Sequence, residues 1–157
     1  LGGETGGIEK VGGILSEIRV MTAALALGLA RAAYDAALKY SRERVAFGKP
    51  IGEHQAIAFK LADMLAAIHG ANLMTYHAAW SLDQGLPVTR EAAMAKLVAS
   101  EMANRVADEA SRIFASYGFA MEYPVQRYFR DARFLLLGGG TSEILRVIIS
   151  KDLEWRA

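Results

Sequence analysis

Between Tyr40 and Gln55 the chain places an arginine, an aromatic, a lysine, a histidine and a glutamine amide on one short connector: Arg44, Phe47, Lys49, His54 and Gln55. A guanidinium for phosphate, a ring for a flat face and an amide for hydrogen bonding could hold a planar, phosphate-bearing ligand. The same residues also fit a solvated turn between helices, with Phe47 tucked into the core. A second such stretch is Gly138-Gly139-Gly140-Thr141. Glycines let a ligand approach the backbone, and free N–H groups at a following helix start can polarise a carbonyl or bind an anion. A flexible, glycine-rich helix entry fits that stretch equally well. The 3 histidines are widely separated and give no metal-ligating spacing. His77, beside Tyr76 and Trp80, reads as a surface or hydrogen-bonded structural residue.

These residues need long helices to position them. At 157 residues with 53% hydrophobic and 22% charged side chains, the chain suits one domain with a proper core. A net charge of +1 gives no argument for nucleic acid or an anionic membrane. The absence of cysteine excludes disulfides, thiolate metal sites and cysteine catalysis, and fits a cytoplasmic location. No apolar run is expected to span a membrane.

Helical spacing of Ala, Leu, Val and Met predicts one helix from Ile14 to about Val45 after a loop over Leu1–Gly13. Its Ala and Gly face, Gly28 included, suggests close helix packing. Gly48 and Pro50 break it. A second helix is expected from about Glu53 to Leu82. A third begins at an N-cap Thr89 and extends to about Tyr117, with Glu91 in its first turn. Its charged residues Lys96, Glu101, Arg105, Asp108 and Glu109 read as solvated or inter-subunit faces. A fourth segment covers Val125–Leu137, where Asp131 is expected to pair with an arginine. A last helix opens at Thr141 and continues to Trp155. Four main helices plus a C-terminal one, joined by short turns, predict an all-α, up-down bundle.

The strings Arg-Glu-Arg-x-x-Phe-Gly-Lys-Pro-Ile-x-x-x-Gln (Arg42–Gln55), Lys60-Leu61-Ala62-Asp63-Met64, Arg130-Asp131-Ala132-Arg133 and Gly140-Thr141-Ser142-Glu143-Ile144 occur in that order. Together they resemble the C-terminal helical domain of flavin-dependent acyl-CoA dehydrogenases across nearly the whole chain. The resemblance implies that residues 1–157 are the C-terminal part of a longer chain, without the N-terminal helical and middle β-domains. It implies FAD as cofactor, an acyl-CoA substrate and electron-transfer flavoprotein as redox partner. The assembly would be a homo-oligomer, or a hetero-oligomer with a related subunit. By the same resemblance Arg44, Phe47 and Gln55 reach the FAD of a neighbouring subunit. Thr141 and Glu143 flank the subunit's own FAD, and Ser16, Arg19, Gly139 and Gly140 line the acyl-CoA site. Arg112 stands where relatives carry Gln in a Gln-x-x-Gly-Gly segment, here Arg112–Ser116, and could meet a pyrophosphate.

The family's reaction removes an α-proton from the thioester while the β-hydrogen leaves as hydride. Most relatives carry the basic Glu immediately before the Gly-Thr pair, a position held here by Gly139; a second set carries it before an arginine matching Arg19, a position held here by Ile18. Glu17 is the adjacent candidate, about 100° round the helix unless a distortion near Gly12-Gly13 turns it inward. Three functions follow. One is a dehydrogenase whose base is Glu17 or lies outside these residues. Another is a base-less structural subunit of a heteromeric dehydrogenase. The last is a helical interaction module without ligand. The isolated domain is expected to be inactive and to hold little FAD.

Overall fold

The computed structural model describes residues 6–151 and 153. Its main helices are α1 (Gly7–Glu43), α2 (Gln55–Asp83), α3 (Thr89–Phe114), α4 (Val125–Leu135) and α5 (Ser142–Ser150). A two-residue antiparallel ribbon, β1 (Val45–Ala46) with β2 (Lys49–Pro50), and a 3-10 turn at Ile51–Glu53 join α1 to α2. A second 3-10 turn, Ala115–Phe119, follows α3. The all-α bundle is as expected, with α3 packed against α1, α2, α4 and α5.

Alanine explains the central packing. Ala23, Ala26, Ala30, Ala33 and Ala37 recur every three or four residues along α1 and are fully buried. Ala92, Ala95, Ala99, Ala103, Ala107 and Ala110 do the same on α3. Side chains this small let two helix backbones approach closely and lose no rotamer entropy on burial. Larger side chains close the flanks: Leu61, Met64 and Ile68 from α2, Met102 and Val106 from α3, Val125 and Leu135 from α4. The Lys60–Glu109 ion pair ties α2 to α3 at the rim.

Several expectations are corrected. α1 starts at Gly7 and runs unbroken through Gly12 and Gly13, where a loop was expected. Each glycine costs about 1 kcal/mol in a helix interior, and a helix already propagating over this length carries that cost. Gly28 is exposed and a Cβ there would meet nothing within 4 Å, so close packing inside this chain is not its reason. Val88, not Thr89, is the N-cap of α3, without a side-chain bond; Glu91 does lie in the first turn. α4 ends at Leu135. Asp131 is exposed and has no arginine ion pair among the described residues. The expected end of the last helix at Trp155 lies outside the described residues, as do Leu1–Thr5. By length and composition, Lys10–Glu43 would also suffice to cross a membrane, at hydropathy 1.5. Here that helix is seamed to α3 and carries Arg31 and Asp35 on its exposed face.

Candidate functional site

The chemistry-bearing residues gather in two places, one at each end of the run of α1 that packs on α3. At the C-terminal end, Arg44 caps α1 through its N–H to the Tyr40 carbonyl (2.9 Å). The ribbon then turns through Phe47 (φ 52°) and Gly48 (φ 82°). Both left-handed values suit a two-residue hairpin turn, in which Asn-Gly or Gly-Gly is usual and a bulky aromatic is strained. Phe47 is nonetheless 97% exposed, so no core contact explains the strain, and the alternative of a ring tucked inward is excluded. His54 steadies the turn with a ring nitrogen 3.1 Å from the Ala46 carbonyl.

Beneath the hairpin lies a cleft of about 440 Å³, lined among others by Arg44, Phe47, His54, Arg112 and Tyr117. Its floor is aromatic. Tyr40 stacks on Phe114 at 4.1 Å between ring centroids, and Tyr123 meets both edge-on. Arg44 sits over the Tyr117 ring at 6.0 Å. Arg112 donates to Asp108 at 2.7 Å, which raises its pKa, and its side chain stays largely exposed at the rim. Ala115 closes the helix with φ 52° and ψ −130°, a conformation that glycine adopts without strain. Gln55 is exposed as the first residue of α2 and lies outside the cleft lining.

The second place is the bend between α4 and α5. Gly139 (φ 73°) and Gly140 (φ 109°) both take left-handed backbone. A Cβ on Gly139 would stand 3.2 Å from the Thr22 hydroxyl and 3.9 Å from the Ile18 side chain. The bend therefore lies against the turn of α1 that carries Ile18, Arg19 and Thr22. Thr141 caps α5, its hydroxyl accepting from the Ile144 N–H at 3.4 Å. Glu143 is held below the usual carboxylate range by its own backbone N–H and the Thr141 hydroxyl.

Lys96 and Arg19 define the charge here. Lys96 is 0% exposed and donates to the Gly140 carbonyl at 2.6 Å, and more weakly to that of Leu136 at 3.5 Å. This overturns the expectation of a solvated Lys96. The signal was in the sequence: 92, 96, 99 and 103 share one helix face with the buried alanines. Arg19 is 6% exposed, and its Nε has no hydrogen-bond partner among the described residues. Burial lowers the pKa of both cations; for Lys96 the Glu101 carboxylate opposes that shift and Arg19 adds to it. The nearby carboxylate, Glu101, accepts from Ser142 at 2.7 Å and faces Arg146 at 3.7 Å.

Ser16 is buried, with its hydroxyl spent on the Gly12 carbonyl at 3.1 Å. Glu17 is exposed on an undistorted helix, so nothing turns it toward the bend. Among the described residues no group of three or more His, Asp and Glu could hold a metal ion.

Residues 5–154 match the acyl-CoA dehydrogenase C-terminal domain family. The chain belongs to that family. It is 56% identical over 140 residues to the benzylmalonyl-CoA dehydrogenase of Aromatoleum aromaticum, an alignment covering 89% of this chain and 37% of that protein. Among solved structures it resembles the butyryl-CoA dehydrogenase of Megasphaera elsdenii, with TM-score 0.88 and 44% identity over 90% of this chain and 37% of the other. A structure described as the electron transferring flavoprotein of Acidaminococcus fermentans gives TM-score 0.89 and 41% identity, again over 90% of this chain and 37% of that one. The chain thus spans well under half the length of these relatives. This acyl-CoA dehydrogenase C-terminal domain carries an arginine and an aromatic at the hairpin and a Gly-Thr helix start. It carries no carboxylate at Gly139 or Ile18.

Proposed function

We propose that this chain is the helical part of an FAD-dependent acyl-CoA dehydrogenase that forms an α,β-double bond in an acyl-CoA thioester. The observation carrying this reading is the hairpin cleft. An aromatic held fully exposed in strained backbone, two arginines at the rim and an aromatic floor fit a flat ligand that bears a pyrophosphate. A bound flavin would supply the hydride acceptor. Arg44 and Arg112 would neutralise phosphate charge, and Phe47 would cover a ring face. Thr141 and Glu143 would edge a second cofactor molecule at the other end of α1, with Gly139 and Gly140 facing the thioester beside Ser16 and Arg19.

Electron-transfer flavoprotein as acceptor is supported by the likeness to the Acidaminococcus structure described by that name. The relative named for benzylmalonyl-CoA brings acyl groups with a second carboxylate among the candidate substrates. Exposed apolar side chains along α1 and α2, such as Met21, Leu25, Leu73 and Trp80, suit burial in an oligomer.

The test uses the complete polypeptide that contains this domain, expressed without related subunits. Stoichiometric FAD that bleaches anaerobically on adding an acyl-CoA thioester is the expected result. Flavin that bleaches only after a homologous subunit is added would make this the base-less member of a pair. A polypeptide that binds no FAD would end the flavoenzyme reading.

A further inference from the structure

Helix α2 is apolar on both sides. Leu61, Met64 and Ile68 face the core, yet Leu65, Leu73, Tyr76 and Trp80 stand exposed on the outside. A helix apolar all round is one that ends up buried all round. Beside it, α1 exposes Met21 and Leu25. Gly28 follows them on the same outer stripe, where a Cβ would meet nothing within 4 Å. Glycine in a helix interior loses stability against alanine, and a second backbone approaching from outside gives it a use.

Formal charge is almost absent from this face. From Val20 to Leu38 α1 carries only Arg31 and Asp35, and from Met64 to Leu82 α2 carries no Asp, Glu, Lys or Arg. The two charges line one groove of about 280 Å³ together with Leu65, His69 and Asn72. They lie one turn apart and do not pair with each other. Arg31 is held by a neutral acceptor, the Asn72 side-chain oxygen, through one Nη. Asp35 has no hydrogen bond or ion pair among the described residues, since the next cation, Lys39, faces Glu43 at 4.0 Å. An oriented cation and an unpaired carboxylate thus stand together in an apolar surround.

We infer that Arg31 and Asp35 select a second copy of this chain, which closes the face about a two-fold axis passing between them. In that arrangement α1 crosses its copy in antiparallel sense. Arg31 meets the partner's Asp35, and Asp35 meets the partner's Arg31. An isologous interface needs a patch complementary to itself, and one cation beside one anion meets that condition. The apolar flanks exclude water from both pairs, so a partner with like charges at these positions is rejected. The inference does not depend on the dehydrogenase reading. It makes two copies of this subunit neighbours whether or not a related subunit binds elsewhere.

Charge swapping in the complete polypeptide tests this, read by sedimentation velocity over a dilution series and by co-purification of two differently tagged copies. Wild-type copies should co-purify. Asp35→Arg alone sets like charges together and should weaken the association by at least about tenfold, as should Arg31→Asp alone. An equal mixture of those two variants should recover the wild-type mass, because one copy then carries two cations and the other two anions. The double variant Arg31→Asp with Asp35→Arg should associate with itself and refuse the wild type. Circular dichroism melts check that each variant folds, and recovery in the mixture shows it independently. Single variants with wild-type mass and affinity would overturn the inference, as would folded variants whose mixture stays apart. A wild type that is monomeric alone and associates only with a homologous subunit would also overturn it. So would lower melting temperatures without a change of mass, which would place this face against the rest of its own polypeptide. Flavin content and bleaching are measured separately, so each of these outcomes leaves the flavoenzyme reading where it stands.

Discussion

The hairpin and the bend solve the same backbone problem in opposite ways. Both reverse the chain through left-handed φ angles, at Phe47, Gly48 and Ala115 around the cleft and at Gly139 and Gly140 beside Arg19. The cleft accepts strain in order to keep side chains there, a ring at 47 and a methyl at 115. The bend gives up side chains and gains unstrained backbone that sits close against α1. Strained non-glycine residues persist where the surroundings hold them, and they concentrate at ligand sites. Glycine at 139 and 140 lets another molecule approach the main chain. One region grips from outside with side chains, and the other receives from inside with its absence of them.

The largest expected effect tests whether the cleft floor is as rigid as its strain requires. A Cβ on Gly118 would lie 2.3 Å from the Ser111 carbonyl oxygen, which is backbone and cannot swing aside. Gly118→Ala should cost about 3 kcal/mol in denaturant melts of the domain. A loss below about 0.5 kcal/mol would show a turn soft enough to relax, and the strain at Ala115 would lose its meaning.

At the bend, rigidity depends on Lys96. Lys96→Met strands the Gly140 carbonyl and should speed amide exchange across residues 136–141 by about tenfold, leaving the hairpin unchanged. The pH dependence has a definite sign. Burial lowers the folded pKa of Lys96 below 10.5, so the native state releases this proton before the unfolded chain does. Stability attributable to Lys96 therefore rises as pH climbs from the folded pKa to 10.5. The difference between wild-type and Lys96→Met melts across alkaline pH should show that rise.

Opposite signs at matching positions probe the comparison directly. Ala115→Gly should raise stability by about 0.5–1 kcal/mol by relieving a left-handed alanine, whereas Gly139→Ala should lower it by about 1 kcal/mol through φ 73° and the Thr22 contact. Two changes of the same sign would show that the regions do not differ in this way. The smallest effect concerns the start of α5. Thr141→Ala removes a long cap bond and should cost about 0.5 kcal/mol. Nuclear magnetic resonance titration should then find the Glu143 carboxyl closer to the ordinary carboxylate range. In the wild type its stabilising share is present at neutral pH and fades as pH falls through its folded value.

The long helices were legible because their apolar period is sustained over many turns, and the Gly48-Lys49-Pro50 break is chemically plain. The family motifs pointed to both regions, the hairpin and the bend. Four features were missed, each for a physical reason. Gly12 and Gly13 look like loop residues because local propensity says nothing of a helix propagated from elsewhere. Lys96 looks solvated by residue type, although its spacing with Ala92 and Ala99 places it in the seam. Phe47 fits a buried ring by hydrophobicity, and only the backbone angles of a two-residue turn push it outward. The orphan Nε of Arg19 has no sequence signature, because it is defined by what fails to approach it.

The alanine seam has a consequence for reach. With small alanines dominating the contact between α1 and α3, α1 acts as a rigid ruler. Arg19 and Arg44 lie 25 residues apart along it, about 38 Å at the rise of an α-helix. That is longer than an extended dinucleotide. A cofactor molecule lying against one end of the ruler is therefore out of reach of the other, so filling both ends takes two molecules.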